Sequence, residues 1–312
     1  MARSTRRELL LKGAGAAAAM TTAYALGRPG ATLLPGTAGA STGEPATAWN
    51  HDPGSLIGPY HWSDIDPGFS ACGTGSNQSP VNIDTTRVAA LHGPPLLLRY
   101  SASELAVENT GHAVEVTIPP GVGNVLQIGP DRYTLAQYHF HALSEHTVNG
   151  SHADVEAHFV HTNPAGDVAV VGALYNVGPN PNALLETILS AAPETSGEEG
   201  PHMGKANPAD LFRGLAGTRT RHGRVLVDSF YAYDGSLTTP SCTENVRWSV
   251  ASQGGHVSQA AVDRFHDVIG KFAGYDAYPN NNRPVQDLQG RVIRHRSGGA
   301  SRRSPTGAAR RR

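Results

Sequence analysis

Long apolar runs are missing from this sequence. Beyond residue 27, no stretch approaches the roughly 18 apolar residues that identify a membrane-spanning helix. Residues 13–27 are uncharged, but they are mostly Ala and Gly and too short to cross a bilayer. We therefore expect no transmembrane segment and a soluble mature protein.

Basic side chains are scarce through the body of the chain. The formal net charge is only −1, yet residues 1–40 carry five basic and one acidic side chain, and residues 291–312 carry eight Arg and no acid. Residues 41–290 consequently hold 12 basic and 25 acidic residues. Nucleic-acid phosphates require clustered Lys and Arg, so this acidic body excludes a nucleic-acid partner and argues against an acidic macromolecular substrate.

The basic N-terminus is typical of a targeting segment. The run TRRELL at residues 5–10, with Lys12 close behind, resembles the twin-arginine export motif. The Ala-rich stretch follows, and Ala38-Gly39-Ala40 offers a small-residue cleavage site. These features predict a signal peptide over residues 1–40, a linker over 41–48 and an exported protein that is periplasmic, on the cell surface or secreted. The alternative is a disordered basic tail without a targeting role.

Cysteine is rare, with two residues at positions 72 and 242. An even number of cysteines in an exported protein favours a disulfide, which here would close a loop of 170 residues. Two independent buried thiols remain the alternative.

Glycine (36) and proline (22) are abundant and punctuate short alternating runs of apolar residues, a pattern typical of strands. The predicted strands cover residues 96–100, 113–118, 125–128, 135–140, 155–160 and 168–175. Two segments have helical spacing instead, residues 182–192 and 258–272, the second beginning at a Ser cap. We find no internal repeat, and residues 295–312 are predicted to form a disordered, Arg-rich tail.

Histidines show the most informative spacing. Because side chains alternate across a strand, His139 and His141 share one face, and so do Glu156 and His158. If these two strands are antiparallel neighbours, the three imidazoles converge on one point. Three neutral imidazoles suit Zn²⁺ and leave the fourth tetrahedral position open. Structural histidines without a metal are the alternative, and a zinc peptidase is disfavoured because the H-E-x-x-H pattern is missing.

The order and spacing of several motifs resemble those of the α-type carbonic anhydrases. The resemblance spans residues 49–294 and is carried by NQSPVNI (77–83), TGHA (110–113), QYHFH (137–141), SEHTV (144–148), EAHFVH (156–161), YDGSLTTP (233–240) and NRP (282–284). It implies a single α+β, mainly β domain, built on a large, mostly antiparallel central β-sheet with short peripheral helices. It also implies a zinc lyase that reversibly hydrates CO2 to bicarbonate and a proton.

The resemblance implies roles for individual residues as well. His139, His141 and His158 are the expected zinc ligands, with Gln137 holding His139 and Glu156 holding His158. Hydroxide on the zinc attacks CO2 while Thr238 accepts a hydrogen bond from it and donates its own proton to Glu145. His112 is the expected proton shuttle, for which an imidazole pKa near 6.5 would be suitable. The CO2 site is expected to comprise Val160, Val170, Leu237, Thr238, Thr239 and Trp248.

Exported bacterial relatives join cysteines at comparable positions, which implies a Cys72–Cys242 bond. The resemblance also puts Tyr233 in the network that contacts solvent in the cleft. One departure stands out: the N-terminal Trp49 is followed by Asn50 and His51, where the family usually has a small residue and a tyrosine that orders cleft water.

Three other functions stay open at this point. A non-catalytic family member that serves as a binding module would typically lack a metal histidine, whereas all three are present. A zinc hydrolase acting on esters, and an adhesion protein suggested only by the Arg-rich tail, are further possibilities. The small-molecule partners expected are CO2, water and bicarbonate; the sequence gives no oligomeric state.

Overall fold

Alternating apolar residues form a large curved sheet that dominates the protein. The structure is a computed structural model that describes residues 48–298. The predicted signal peptide (1–40) and all but the last residue of the predicted linker (41–48) lie outside the described residues. The described residues belong to one compact unit.

Most secondary structure is β. The strands are β1 (Asn82–Ile83), β2 (Ala89–Ala90), β3 (Leu96–Arg99), β4 (Ser103–Glu104), β5 (Glu108–Asn109), β6 (Val114–Thr117), β7 (Val125–Ile128), β8 (Asp131–His141), β9 (Thr147–Val148), β10 (Ser151–His152), β11 (Val155–Thr162), β12 (Val168–Val177), β13 (Lys205–Ala206), β14 (Thr218–Arg221), β15 (Arg224–Val227), β16 (Phe230–Ser236), β17 (Glu244–Ala251), β18 (Gly255–Val257) and β19 (Arg294–Arg296). The helices are α1 (Trp62–Ile65), α2 (Ala71–Thr74), α3 (Ala183–Ala191) and α4 (Gln259–Ile269), with 3₁₀ turns at Pro67–Phe69 and Pro208–Phe212.

The central sheet is mostly antiparallel, as predicted, but it is mixed. Its main path within residues 48–298 runs β14-β15-β3-β7-β8-β11-β12-β17-β16-β19-β2. Strand β12 pairs in parallel with β17 and β18, and β19 pairs in parallel with β2. A parallel pair needs a long crossover, which residues 178–243 supply between β12 and β17. The predicted mainly β fold with short peripheral helices is confirmed.

Strands β8, β11 and β12 separate two environments. One face carries Tyr138, Phe140, Phe159 and Val171, which belong to the larger apolar core together with residues of α3 and α4. The other face carries the histidines, and Val170 there joins a second apolar cluster with Trp248. Residues adjacent in sequence on these strands therefore serve different environments.

Helices α3 and α4 begin at the side chains that the sequence offers as caps. Asn182 accepts a hydrogen bond from the Leu185 N–H at 3.1 Å, and Ser258 accepts one from Ala261 at 3.1 Å. Each cap satisfies a backbone donor that the first helical turn cannot pair. No helix among residues 48–298 is long and apolar enough to cross a membrane.

The folded chain extends past residue 294, the predicted end of the domain. Residues Arg294–Arg296 form β19, which pairs with β16 and β2, and the His295 ring stacks on Tyr231 with centroids 4.6 Å apart. The start of the segment 295–312, predicted as a disordered tail, is thus an ordered strand, because the backbone finds partners on both sides. Residues 299–312 lie outside the described part of the chain.

Candidate metal centre

Three histidines converge on one point of the central sheet. Strands β8 and β11 pair antiparallel, with His139 opposite His158 and His141 opposite Glu156. The ring centroids lie 5.0 Å apart for His139 and His141, 5.2 Å for His139 and His158, and 4.5 Å for His141 and His158. One nitrogen from each ring lies within 4.8 Å of the other two. The strand register therefore brings together the three side chains that alternation put on one face.

Each ring uses its other nitrogen in a supporting contact. Nδ1 of His139 lies 2.8 Å from Oε1 of Gln137, the partner that the sequence predicts. Nδ1 of His141 lies 2.8 Å from the carbonyl oxygen of Asn281, and Nε2 of His158 lies 3.1 Å from Oε1 of Glu156. These contacts select the tautomer of each ring. They leave Nε2 of His139, Nε2 of His141 and Nδ1 of His158 available to a metal.

Burial and charge tune the three imidazoles differently. Burial, reinforced by the neighbouring rings, lowers the pKa of His139 well below its ordinary value and also lowers the pKa of His141. Burial acts in the same direction on His158, but the Glu156 carboxylate outweighs it and raises the pKa of His158. Lowered pKa values keep His139 and His141 neutral, with lone pairs free for a metal, and the negative charge of Glu156 favours a cation at this point.

A second cluster of potential ligands, His146, Glu156 and His158, is already satisfied internally. His146 places Nδ1 2.8 Å from Oε1 of Glu156 and Nε2 2.7 Å from the Tyr233 hydroxyl. The Tyr233 hydroxyl in turn donates to Ser79 Oγ at 2.9 Å. Tyr233 is buried, so the expectation that it contacts cleft solvent is wrong: its hydroxyl is used to hold His146.

Glu145 points one oxygen toward the ligand nitrogens. Its Oε1 accepts a hydrogen bond from the Arg283 backbone N–H at 2.8 Å. Its Oε2 lies 3.6 Å from Nε2 of His141 and 3.8 Å from Nδ1 of His158, and has no hydrogen-bond partner within residues 48–298. Such a buried, unpaired acceptor is costly unless something donates to it. The predicted donor, the Thr238 hydroxyl, remains a prediction.

An apolar wall borders the histidines. Val160 pairs with Val170, and Val170 pairs with Trp248, so the three predicted CO2-site residues form one row across β11, β12 and β17. Trp248 is almost fully buried, and its ring lies 4.8 Å from that of His158. Leu237 packs at the edge of the same cluster. The site therefore has a polar end, which carries the three histidines, and a nonpolar side.

The loop that carries Thr238 and Thr239 is anchored covalently. Cys72 and Cys242 form a disulfide, and the Cys242 N–H donates to the Thr239 carbonyl at 2.8 Å. Thr238 is buried and Thr239 is half-buried. The predicted bond therefore ties this loop to helix α2.

Arg283 supports the same region from beneath. Its guanidinium donates to Gln78 Oε1 at 2.9 Å, to the Ser79 carbonyl at 2.7 Å and to the Cys72 carbonyl at 2.9 Å. Burial lowers the pKa of Arg283 to about 10. The sequence shows Arg283 only as part of the N-R-P motif. Its hydrogen-bond partners could not be predicted, because they lie some 200 residues away along the chain.

His112 is held more tightly than a loop-edge histidine suggests. Its ring stacks on Trp49 with centroids 3.7 Å apart and an interplanar angle of 9°, and its Nδ1 lies 3.1 Å from the Tyr275 hydroxyl. Burial lowers the pKa of His112 to about 4. The expected pKa near 6.5 is therefore wrong, because neighbouring aromatic rings exclude water from most of the imidazole.

Gly172 is a further residue that sequence reasoning missed. It pairs with His158 in the β11–β12 register. A Cβ at this position would lie 2.8 Å from Oε1 of Glu156, closer than real contacts allow. A glycine inside an apolar strand signals close approach by another group, and here that group is the carboxylate that holds His158.

Comparison with known proteins identifies the family. The sequence profile described as "Eukaryotic-type carbonic anhydrase" matches residues 57–297, which is most of the chain. The chain belongs to this family. A carbonic anhydrase of Neisseria gonorrhoeae is 37% identical over 235 residues, covering 75% of this chain and 83% of that protein. The chain is accordingly a carbonic anhydrase-type enzyme acting on small molecules, and the family resemblance drawn from its motifs is confirmed.

Solved structures agree with this assignment. The α-carbonic anhydrase of Thermovibrio ammonificans, solved with sulfanilamide, shares the fold at a TM-score of 0.69 and 34% identity, covering 80% of this chain and all of that chain. Dioscorin complexed with ascorbate also shares it, at a TM-score of 0.68 and 27% identity over 80% of this chain and 97% of that one. Proteins of different names use this fold, so the residues of the site must carry the functional argument.

The donor set of this carbonic anhydrase site fits zinc. Three imidazoles with one nitrogen each directed at a common point, and with the other nitrogen near a carbonyl, amide or carboxylate oxygen, match zinc's preference for nitrogen ligands in an open site. The Nε2 atom of His141 is buried without a hydrogen-bond partner in the described chain. A metal ligand is one of the few roles that justify such an atom.

Proposed function

We propose that the protein binds one Zn²⁺ on His139, His141 and His158 and uses it for the reversible hydration of CO2 to bicarbonate and a proton. The observation that carries the proposal is the convergence of three imidazole nitrogens within 4.8 Å. Hydrogen bonds to Gln137 and to the Asn281 carbonyl support His139 and His141, and the Glu156 carboxylate lies 3.1 Å from Nε2 of His158. When bound, zinc would supply hydroxide near neutral pH by lowering the pKa of a coordinated water to about 7, a figure established for carbonic anhydrases and not obtained from this chain.

The protein's own residues would position the reactants. Val160, Val170 and Trp248 form a row of apolar surface beside the ligands, where a small nonpolar molecule such as CO2 loses little by leaving water. Leu237 and Thr239 would complete the site, with Thr239 on its polar side. Holding CO2 against the reacting oxygen would remove the entropic cost of bringing the two together.

Thr238 and Glu145 would orient the reacting hydroxide. The carboxylate Oε2 of Glu145 is an acceptor that faces the ligand nitrogens and lacks a donor among residues 48–298. If Thr238 donates its proton to Glu145, the Thr238 oxygen can act only as an acceptor toward the reacting hydroxide. The hydroxide must then donate its hydrogen to Thr238, which fixes its orientation. The backbone N–H of Arg283 fixes the carboxylate through Oε1.

His112 would carry the proton from the site to buffer. It lies outside the ligand set, on the TGHA loop, and it is only partly buried, so one edge can exchange with solvent. With a pKa of about 4 it is neutral at pH 7, as a proton acceptor must be, and it gives up a captured proton readily; accepting one from a water of pKa about 7 is uphill and sets a limit on the rate.

A stopped-flow CO2 hydration assay tests the proposal directly. The protein loaded with zinc should hydrate CO2, a chelator should remove the activity, and added Zn²⁺ should restore it. Protein that neither binds zinc nor hydrates CO2 would instead favour the binding-module alternative. Ester turnover that exceeds CO2 hydration would favour a zinc hydrolase.

We also propose that the protein is exported by the twin-arginine route. The support is the Arg6-Arg7 pair ahead of an Ala-rich stretch, together with the disulfide, which is typical of exported proteins. Changing both arginines to lysine should leave precursor in the cytoplasm, as measured by fractionation. Unchanged export would contradict this route.

A further inference from the structure

A buried tyrosine joins two histidines beside the proposed zinc site. The Tyr275 hydroxyl lies 2.6 Å from Nδ1 of His51 and 3.1 Å from Nδ1 of His112. Tyr275 and His51 are fully buried, and His112 is the partly buried member that stacks on Trp49. His51 stands where the family usually has a tyrosine, so this triad follows from a departure in the sequence.

The phenol constrains the protons of both rings. A hydroxyl can donate one hydrogen bond, so it donates to one Nδ1 and accepts from the other Nδ1–H. The two histidines must therefore be in opposite tautomers while both are neutral. Burial keeps them neutral, because it lowers the pKa of His51 well below its ordinary value and that of His112 to about 4.

The two distances distinguish between the alternatives. Hydrogen bonds donated by O–H are shorter than those donated by N–H, and the phenol is a better donor than a neutral imidazole. The 2.6 Å contact is therefore the one in which Tyr275 donates to His51, and the 3.1 Å contact is the one in which His112 Nδ1–H donates to Tyr275. The protons are assigned here from heavy-atom distances.

We propose that Tyr275, anchored by His51, is the positioning residue of His112: it holds the ring in the Nδ1–H tautomer, so that Nε2 is the nitrogen that accepts and releases protons. A neutral histidine in water favours the opposite, Nε2–H tautomer, in which Nε2 cannot accept. The triad thus keeps Nε2 of His112 unprotonated and able to accept a proton. This inference rests on the shuttle role proposed above for His112.

One loop links the Tyr275–His51–His112 triad to the proposed zinc site. Tyr275 begins the segment, and Asn281 ends it by donating from Nδ2 to the His112 carbonyl at 3.1 Å. The Asn281 carbonyl accepts from Nδ1 of His141, one of the proposed ligands. Residues 275–281 therefore hold both the proposed proton acceptor and a proposed zinc ligand.

The tautomer of His112 can be measured in the ¹⁵N-labelled full chain. Two-bond ¹H–¹⁵N spectra should show His112 protonated at Nδ1 and unprotonated at Nε2, with the signals assigned by their loss in His112→Ala. In Tyr275→Phe the population should move toward the Nε2–H form. A wild-type His112 in the Nε2–H form, or an unchanged tautomer in Tyr275→Phe, would overturn the proposal, and the wild-type measurement decides the matter even if that variant does not fold.

The kinetic arm uses oxygen-isotope exchange, which separates CO2–bicarbonate interconversion from proton transfer. Tyr275→Phe should leave interconversion within about twofold and slow the proton-dependent step about tenfold, part of the roughly 10²- to 10⁴-fold that a positioned acid–base group contributes. Tyr278→Phe is the matched control, because its hydroxyl on the same loop donates to Asn282 instead. Adding the change to His112→Ala should slow proton transfer no further.

The outcomes separate this proposal from the shuttle role itself. If His112→Ala leaves proton transfer unchanged, the shuttle assignment fails. If His112→Ala slows it and Tyr275→Phe does not, the shuttle stands and the positioning role of Tyr275 is wrong.

Discussion

The two faces of β8, β11 and β12 differ in nearly every respect although they share the same backbone. One face presents Tyr138, Phe140 and Phe159 to the helices, and the other presents His139, His141 and His158 to the metal site. The helix-facing side consists of aliphatic and aromatic side chains apart from His161, whereas the other side holds the buried Glu156 carboxylate, two buried imidazoles and the partly buried imidazole of His139. Burying imidazoles and a carboxylate is unfavourable unless each group is paired. This explains why Gln137, Asn281 and Glu156 contact the nitrogens of the three histidines that face away from the candidate metal site.

This comparison assigns different tasks to neighbouring residues. The apolar face stabilises the fold through close packing. The polar face is destabilising, because it removes imidazoles and a carboxylate from water, and the packing of the apolar face offsets that cost. Substitutions on one face should therefore change the free energy of unfolding, while substitutions one residue away should change metal binding.

The largest effect is expected from His141→Ala. Loss of one of three ligands should leave less than about one-tenth of a zinc per chain and abolish CO2 hydration, since the remaining two imidazoles cannot hold the ion at neutral pH. Zinc analysis and stopped-flow hydration measure both. The exposed His92→Ala is the control, and full zinc occupancy in His141→Ala would show that the ligand set is wrong.

Phe159→Ala should affect stability instead. Phe159 is fully buried and adjacent to His158 in the chain, but its ring packs against Phe212 with centroids 4.6 Å apart on the helix side. We expect a loss of about 3–5 kcal/mol in the free energy of unfolding, measured in urea, with zinc per folded chain retained. Val160→Ala, which removes less buried surface, should cost less stability while altering CO2 turnover. Equal effects of the two variants on both properties would refute the division between the faces.

Gly172→Ala should weaken metal binding by a moderate factor. The added methyl would lie 2.8 Å from Oε1 of Glu156 and push this carboxylate away from His158. Loss of such a supporting contact typically costs about 10- to 100-fold in metal affinity, measurable by competition with a chelator. Ala173→Gly, on the opposite face of the same strand, should lower stability slightly and leave zinc affinity unchanged. An unaltered affinity in Gly172→Ala would mean that Glu156 does not support the ligand.

At neutral pH the smallest effect is expected from His161, the histidine on the apolar face. Its Nε2 lies 2.6 Å from the Tyr100 hydroxyl, and burial lowers its pKa to about 3. The unfolded chain, with a pKa near 6.5, binds more protons, so stability contributed by neutral His161 is complete above about pH 6.5 and is lost as the pH falls toward about 3. His161→Gln should reduce the slope of stability with pH by up to about 1.4 kcal/mol per pH unit in this window. Urea titrations of the metal-free proteins measure it, and identical slopes would contradict the prediction.

Local sequence patterns predicted part of the fold well. The six runs with clear alternation all became strands, and both helical segments formed, with their Asn182 and Ser258 caps. Strands β14 to β17 were not identified from alternation, because β14 is rich in Arg and Thr and β16 contains Asp234 and Gly235. Strand β15 also pairs with β3, and β17 pairs with β12, both far away along the chain, and such tertiary context overrides local preference.

The site followed a similar division. Spacing alone put His139 and His141 on one face and Glu156 and His158 on another, and the family motifs added the remaining roles. The contacts that support them were not accessible in this way: Asn281 behind His141, Gly172 beside Glu156, and Tyr275 between His51 and His112. Each joins residues whose proximity depends on strand register or on a distant loop.

The sequence by itself determined which side chains share a strand face, because alternation is a property of the extended backbone, and it supplied the three histidines of the candidate metal site. Only the tertiary structure decided which faces meet, since the histidines converge through the observed register, in which His158 lies opposite His139. It also decided the pKa of His112, which depends on how completely Trp49 and Tyr275 exclude water from the ring. Desolvation and hydrogen-bond pairing act over a few ångströms in space, and a linear sequence does not encode those distances residue by residue.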